Sequence, residues 1–310
     1  MGSPSFSAVI LTLNEEIHIQ DCLAQLRWCD ERILVDMQST DQTRERAKDL
    51  ATNIILHEPN PNFEFARNRG IEAASGDWIL VVDADEIIPE SLALRLRERA
   101  STAPGDVVGF WIPRMNYCFG RPLRHAGGFP DYQLRAFRRG AGLYPERLHG
   151  APDLHGKTLQ LPIEEGAWIL HLRKNASIRD LLAKWDEYAA TEARNRVGAG
   201  EQFPGPLAML WTFLSAFRFR FFGLQGYRDG MAGLVLSVLL AFYRFEAEAK
   251  VWETAGCDAR WDPEVHRLCS ASRLLWALVR EGVRRLCRQR ATGPSKPQAR
   301  GDDPVAHGRC

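Results

Sequence analysis

The run Trp78-Ile79-Leu80-Val81-Val82 is unbroken by any polar residue and rich in β-branched side chains. A strand apolar on consecutive positions is buried on both faces, which is the setting of a parallel sheet. Residues 6–13, 32–37 and 53–56 read as three further strands ahead of it, and between them the pattern turns helical. It predicts a helix capped by Asn14 with Ile17, Ile19, Leu23 and Leu26 on its apolar face, and a second opened by Ser39-Thr40-Asp41 and running to residue 51. A third helix is predicted over 63–74. Strands and helices in alternation imply right-handed βαβ units, hence an α/β, Rossmann-like fold with a mostly parallel sheet flanked by helices.

Beyond a helix over 89–100 the pattern loosens. Residues 107–113 and 132–137 read as strands, the Gly/Pro/His-rich stretch 144–162 as loop, 168–172 as a strand closing the sheet, and 177–197 as a long helix opened by Ser177. A Gly/Pro linker at 198–206 precedes two greasy runs, 207–217 and 231–243, each too short to span a bilayer. Arg218, Arg220, Arg228 and Asp229 separate them. A buried helical hairpin is one reading; a pair resting in a membrane surface is the other, favoured by the Trp, Phe and Arg that accompany both runs. The expected organisation is a catalytic domain over 1–200, an amphipathic helical, membrane-associating appendage over 201–290, and a disordered tail over 291–310, which is rich in Gly, Pro and charge.

A net charge of +1 on 310 residues gives no electrostatic case for nucleic acid. Seven cysteines, odd in number and without a C-x-x-C pair, point to reduced thiols in a cytosolic protein. The first apolar run has no basic residues ahead of it and Asn14-Glu15-Glu16 behind it, so it reads as a strand and not a signal peptide. Seven arginines between 267 and 290 form a solvated helix face or a patch for anionic lipid.

The chemistry starts where strand 78–82 ends in Asp83, Asp85 and Glu86. Ligands of open α/β sheets bind beyond the carboxyl ends of the strands. Asp83 and Asp85, two apart, point the same way if strand geometry persists. Such oxygen ligands suit Mg²⁺ or Mn²⁺, completed by water and substrate phosphates. The competing reading takes them as turn and helix-start charges ahead of Pro89 and Leu92, Leu94 and Leu96. The chain has no G-x-x-x-x-G-K-[ST] loop, and no G-x-G-x-x-G follows the first strand. A nucleotide site whose pyrophosphate is neutralised mainly by a metal remains.

Four segments in order complete the picture: Phe6-Ser-Ala-Val-Ile-Leu-Thr-Leu-Asn-Glu-Glu16, Ile33-Leu-Val-Asp-Met-Gln-Ser-Thr-Asp-Gln-Thr43, Phe65-Ala-Arg-Asn-Arg-Gly70 and Val82-Asp-Ala-Asp-Glu86. Together they resemble the family 2 glycosyltransferases of the GT-A fold, over about residues 6 to 175. The acidic block ending in Glu86, the segment Pro130-Asp-Tyr-Gln-Leu-Arg-Ala-Phe-Arg-Arg139, and the pattern of Phe221 to Asp229 with Lys250-Val-Trp-Glu253 narrow the resemblance to the lipopolysaccharide inner-core glucosyltransferases of the WaaE/LgtF type.

That resemblance implies an inverting, metal-dependent enzyme at the inner face of the cytoplasmic membrane. It moves a hexose, glucose from UDP-glucose, to a lipopolysaccharide core or other glycolipid. Thr12, Glu15 and Asp36 would hold uracil and ribose, Arg67 and Arg135 the diphosphate, Asp83 ribose or metal, and Asp85 the metal directly. Asp131 is the first candidate for the general base and Asp153 the reserve, because Gly150 follows His149 where relatives carry Glu. His149 and His171 are candidates for further metal ligands. A polyprenyl-phosphate acceptor, or a catalytically silent nucleotide-sugar-binding subunit, are the alternatives.

Overall fold

The computed structural model describes residues 2–59, 63–145, 150–164, 166–172 and 177–257. In chain order the elements are β1 (Phe6–Thr12), α1 (Ile19–Gln25), β2 (Glu31–Asp36), α2 (Thr43–Ala47), β3 (Asn53–Leu56), α3 (Phe63–Ala73), β4 (Trp78–Asp83), β5 (Glu86–Ile87) and α4 (Glu90–Thr102). There follow β6 (Val107–Cys118), β7 (Arg121–Pro122), β8 (Asp131–Arg138), β9 (Gly142–Leu143), β10 (Asp153–Leu154), β11 (Lys157–Gln160), β12 (Ile169–His171), α5 (Ile178–Gly198), α6 (Pro206–Arg218) and α7 (Gly230–Thr254). A π-type turn at Phe219–Gly223 and a 3-10 turn at Gly226–Asp229 join the last two helices.

Among the described residues the main sheet runs β3-β2-β1-β4-β8-β6-β12-β5. Its first four strands are parallel, and β8 enters antiparallel beside β4. β1 and β4 are buried along almost their whole length, as their uninterrupted apolar runs require. One face packs Phe6, Trp78 and Phe110 against α1 and α4, with the Trp78 and Phe110 rings stacked 4.9 Å apart. The other packs Val9, Val35 and Val81 against Ala66 and Ile71 of α3. Gly70 lets α3 come this close, since a Cβ there would stand 2.5 Å from Val9 Cγ1 and 2.8 Å from Val35 Cγ2.

The α/β class expected from the sequence is present, with several local departures. Asn14 does not cap a helix: it sits at φ 55°, receives Thr40 N–H on Oδ1 and gives its own N–H to Ser39 Oγ. α1 consequently starts at Ile19 and Ile17 is exposed. α2 is only five residues long and starts at Thr43, whose backbone N–H and hydroxyl are received by Asp41. β6 continues five residues past Pro113, which pairs in register with Tyr132 instead of ending the strand. The stretch 144–162, expected to be loop, contains β10 and β11, and β11 extends the sheet beside β6.

Ser177 caps α5 as its position predicts, accepting from Asp180 N–H at 3.1 Å. Leu181 and Trp185 of α5 pack on Leu236 of α7, and on Cys118 and Leu123. Arg196 forks onto Glu248 of α7 and Glu201. α6 by contrast buries none of its residues: Leu210, Trp211 and Leu214 are all more than half exposed. The second greasy run also exceeds its expected length. The helical stretch 226–254 is long and apolar enough to cross a membrane by length and composition alone. The arginine cluster 267–290 and the tail 291–310 lie outside the described residues.

Candidate active site

The acidic run at the end of β4 is answered mostly by arginine. Strand geometry stops at Asp83, so Asp83 and Asp85 turn to different partners and do not point the same way. Asp83 Oδ1 receives Arg67 at 2.5 Å and Oδ2 receives Arg135 at 2.5 Å. Glu86, wholly buried, accepts the Asp83 backbone N–H on Oε2 at 3.0 Å, and Arg114 and Arg135 on Oε1 at 2.9 and 3.2 Å. Arg114 then reaches Asp131 Oδ2 through both Nε and a terminal nitrogen, at 3.0 and 2.7 Å. Asp85 faces His171, with Oδ2 3.3 Å from Nε2. The result is a chain of alternating charges across four strands and α3, at the end of the sheet where α/β folds bind ligands.

Charge pairing sets the protonation of this edge. Burial works to raise the pKa of Asp83, but Arg135, Arg67 and Arg114 outweigh it and hold the carboxyl far below the carboxylate range. Asp131 has the same balance: burial raises it, while Arg114 and hydrogen bonds from Asn116 and Gln133 bring it below its ordinary value. For the buried Arg135, burial favours the neutral form, yet Asp83 and Glu86 keep it firmly charged. Beneath the cluster, burial and the carboxylates of Glu86 and Asp83 push the Cys22 thiol up, so it is inert.

The segment 65–70 divides its labour residue by residue. Ala66 packs into the core and Arg67 grips Asp83 while its guanidinium lies 5.4 Å from the Tyr144 ring centre. Asn68 clamps the Tyr144 backbone at both its N–H and C=O, and Arg69 turns out to Glu72. On β1 and β2, Thr12 and Asp36 lie side by side in register and both are buried. Asp36 receives Thr12 Oγ1 at 3.2 Å, Ser39 N–H at 3.0 Å and Ser39 Oγ at 2.5 Å. Glu15 is tied in through its backbone N–H to Thr43 Oγ1. Loops after β1 and β2 are thus fastened to each other beside the acidic edge.

Of the residues singled out in the sequence, Arg67, Asp83, Asp85, Asp131, Arg135 and His171 come together. Asp153 does not. It sits on β10 opposite Leu143, beside Arg139 and His155, at the other end of the sheet, near where β4 begins. Asp131 is present at the edge, where its carboxylate receives Arg114, Asn116 and Gln133. Of the two base candidates, then, Asp131 lies in the edge cluster and Asp153 lies away from it. Arg138 stacks over Trp78 at 4.8 Å and leaves Arg135 as the arginine of β8 that enters the cluster. His149 lies outside the described residues.

Arg114, Asn116 and Gln133 were missed. Their signal was spacing: Arg114 and Asn116 are two apart on one strand, and Arg114 pairs in register with Asp131. Ending β6 at Pro113 hid it.

Among the described residues no three His, Cys, Asp or Glu side chains gather to hold a metal. Asp83 has both oxygens taken by guanidinium, so Asp85 is the carboxylate suited to a cation, with His171 next to it. One carboxylate and one imidazole fit an ion that takes its remaining ligands from substrate phosphates and water.

The family model described as Glycosyl transferase family 2 matches residues 7–154, the stretch that runs from β1 through β10. Residues 7–154 thus form a family 2 glycosyltransferase domain. It is 27% identical over 265 residues to the lipopolysaccharide core biosynthesis glycosyltransferase LpsC of Rhizobium meliloti, covering 82% of this chain and 94% of that protein. Among solved structures it is similar to the mannosyltransferase PcManGT of Pyrobaculum calidifontis in complex with GDP-Man and Mn²⁺, at TM-score 0.44 and 17% identity, over 88% of this chain and 81% of that one. Glucosyl-3-phosphoglycerate synthase of Mycobacterium tuberculosis matches at TM-score 0.31 and 24% identity, over 37% of this chain and 44% of that one. The match therefore spans less than half the length of that synthase.

Proposed function

We propose that this chain is an inverting, metal-dependent family 2 glycosyltransferase that moves a hexose from a UDP-sugar, UDP-glucose in the first instance, to the saccharide of a lipopolysaccharide core or similar glycolipid. The observation that carries this is the edge itself: the buried Thr12–Asp36 pair closes β1 and β2 at the end where the neighbouring β4 runs out in Asp83, which Arg67 and Arg135 grip, with Asp85 following. Thr12, Glu15 and Asp36 form the nucleoside end. Asp83 holds Arg67 and Arg135 in place toward the diphosphate, and Asp85 takes Mg²⁺ or Mn²⁺. A bound divalent ion there would supply Lewis-acid stabilisation of the departing nucleoside diphosphate. The likeness to LpsC supports the acceptor class.

The catalytic unit is assigned to 1–200. The 201–290 appendage, through its exposed face of Trp211, Leu214, Phe219, Phe222 and Met231, carries the enzyme to an anionic membrane surface on the cytoplasmic side. The experiment is donor turnover by wild type and Asp85→Ala with UDP-glucose, UDP-galactose, UDP-GlcNAc and GDP-mannose, in Mg²⁺, Mn²⁺ or EDTA. Extracted lipopolysaccharide core is added or withheld. One UDP-sugar turned over only with metal, faster with acceptor and not by Asp85→Ala, is the expected result. Turnover unaffected by EDTA sinks the metal assignment. UDP binding without turnover of any donor would favour a silent subunit.

A further inference from the structure

We infer that Asp229, with Arg220, is a positioning residue for the Asp131 end of the acidic edge: the turn between α6 and α7 grips segment 123–128, and that segment encloses Asn116 beside Asp131. This deepens the proposed function and rests on it, because it makes part of the 201–290 appendage a component of the transfer site as well as an anchor.

The first observation is where Asp229 spends its carboxylate. It stands immediately before α7, where an aspartate ordinarily accepts from the first N–H groups of its own helix. It makes no such bond. Its side chain, 8% exposed, receives Arg124 N–H at 3.3 Å and His125 N–H at 2.8 Å, and lies 3.0 Å from the His125 ring nitrogen Nδ1. The second observation is Ala126, buried at φ 53°, a conformation that residues other than glycine hold only where their surroundings impose it. The same turn binds both of its backbone groups. Leu224 O receives the Ala126 N–H at 2.9 Å, and Arg220 donates to Ala126 O at 3.0 Å. Gly226 permits the approach, since a Cβ there would stand 3.1 Å from the Cβ of Ala126.

The other side of the segment reaches the edge. Gly128 N–H closes onto His125 O at 2.8 Å, and Gly128 O receives Asn116 twice, from its backbone N–H at 3.2 Å and its side-chain nitrogen at 3.1 Å. Leu123 N–H returns to Asn116 O at 2.9 Å. The Asn116 side chain also donates to Asp131 Oδ2 at 3.0 Å. Asp229 is thus joined to Asp131 through His125, Gly128 and Asn116, largely along backbone groups that cannot rotate away. A shift of the turn therefore moves the carboxylate at the edge. In a transfer site a displacement of about 1 Å lowers the rate by up to about a hundredfold.

The test compares full-length wild type with Asp229→Asn, Arg220→Met and Arg196→Ala, with UDP binding as the check that each is folded. Arg196→Ala is the control, because it severs the link between α5 and Glu248 of α7 and leaves the bonds to segment 123–128 in place. Transfer from UDP-glucose to extracted lipopolysaccharide core gives kcat and donor KM, and amide hydrogen exchange gives the protection of residues 116–131. In Asp229→Asn and Arg220→Met the expected kcat is about tenfold lower or more, with donor KM within about twofold of wild type. Exchange at 116–131 should quicken about tenfold in both, while β1 and β4 keep their protection. Arg196→Ala should lose as much urea stability as either and keep its kcat. Full kcat in both turn variants, or an equal fall in Arg196→Ala, overturns the inference. Unchanged protection of Asn116 and Gly128 overturns it as well, and that arm decides even if wild type transfers no sugar, a result that would sink the proposed function on its own account.

Discussion

Glu86 shows how much one buried carboxylate can organise. It holds the Asp83 backbone with one oxygen and two guanidinium groups with the other, entirely out of solvent. Removing one partner from such a network leaves a charge uncompensated in a medium that solvates it poorly, at a cost of about 3–5 kcal/mol. Glu86→Gln is therefore expected to lose stability on that order, seen as a lower urea midpoint with the slope unchanged. A loss no larger than for an exposed glutamate would show that Arg114 and Arg135 are satisfied without it. The depressed carboxyls at this edge give a pH dependence of known sign. A folded-state pKa below the unfolded value of about 4 contributes stability that is complete above that value and is lost as pH falls below it toward the folded pKa. Asp131→Asn removes this share, so the gap in stability between wild type and variant should be widest near pH 7 and narrow as pH drops below about 4. Urea titrations over that range check it, and a gap independent of pH would mean Asp131 contributes by shape alone.

At the scale of elements, α3 is the piece whose fit is tightest, and Gly70→Ala measures it. A methyl group 2.5 Å from Val9 and 2.8 Å from Val35 must push α3 off β1 and β2. The expected cost is about 1–3 kcal/mol, with weaker nucleotide binding because Arg67 rides on the same helix. Full stability in this variant would place the helix differently. The parallel half was legible in the sequence because buried strands and their helices write a strong local pattern: β1, β3, α3 and β4 lie within a residue or so of expectation. The acidic edge was legible for the same reason, as it follows directly from the end of β4. What escaped was long-range. Nothing near Asp83 in sequence announces that Arg135 will meet it, or that Arg114 will meet Glu86. Pro113 is ordinarily a strand breaker, and β10 and β11 are too short and too polar to stand out from the Gly/Pro stretch around them. Asn14 misled because a residue suited to helix caps is equally suited to a left-handed turn held by hydroxyls.

For the whole molecule, the contrast between α5 and α6 matters most. α5 is stitched to α7 by Trp185, Arg196 and Lys250, while α6 offers its apolar residues to solvent. Large apolar side chains left exposed along one helix are costly in water and offer a candidate interaction surface. Full-length protein should co-sediment with liposomes containing anionic lipid, and the double variant Trp211→Glu with Phe222→Glu should remain in the supernatant with its donor binding intact. Wild type that never co-sediments would sink the membrane reading.

The position of β12 has a further consequence, in time. The nucleotide half closes on residues within the first 83, whereas His171 and the strand that carries it are made nearly ninety residues after Asp83. During synthesis the acidic run after β4 therefore waits first for Arg114 of β6 and Arg135 of β8, and last for β12 to enter between β5 and β6. A chain ended at Leu154 would keep the segment that defines the family and still lack the strand that completes the edge. The nascent chain thus completes its parallel strands well before the strand that closes the far side of the sheet.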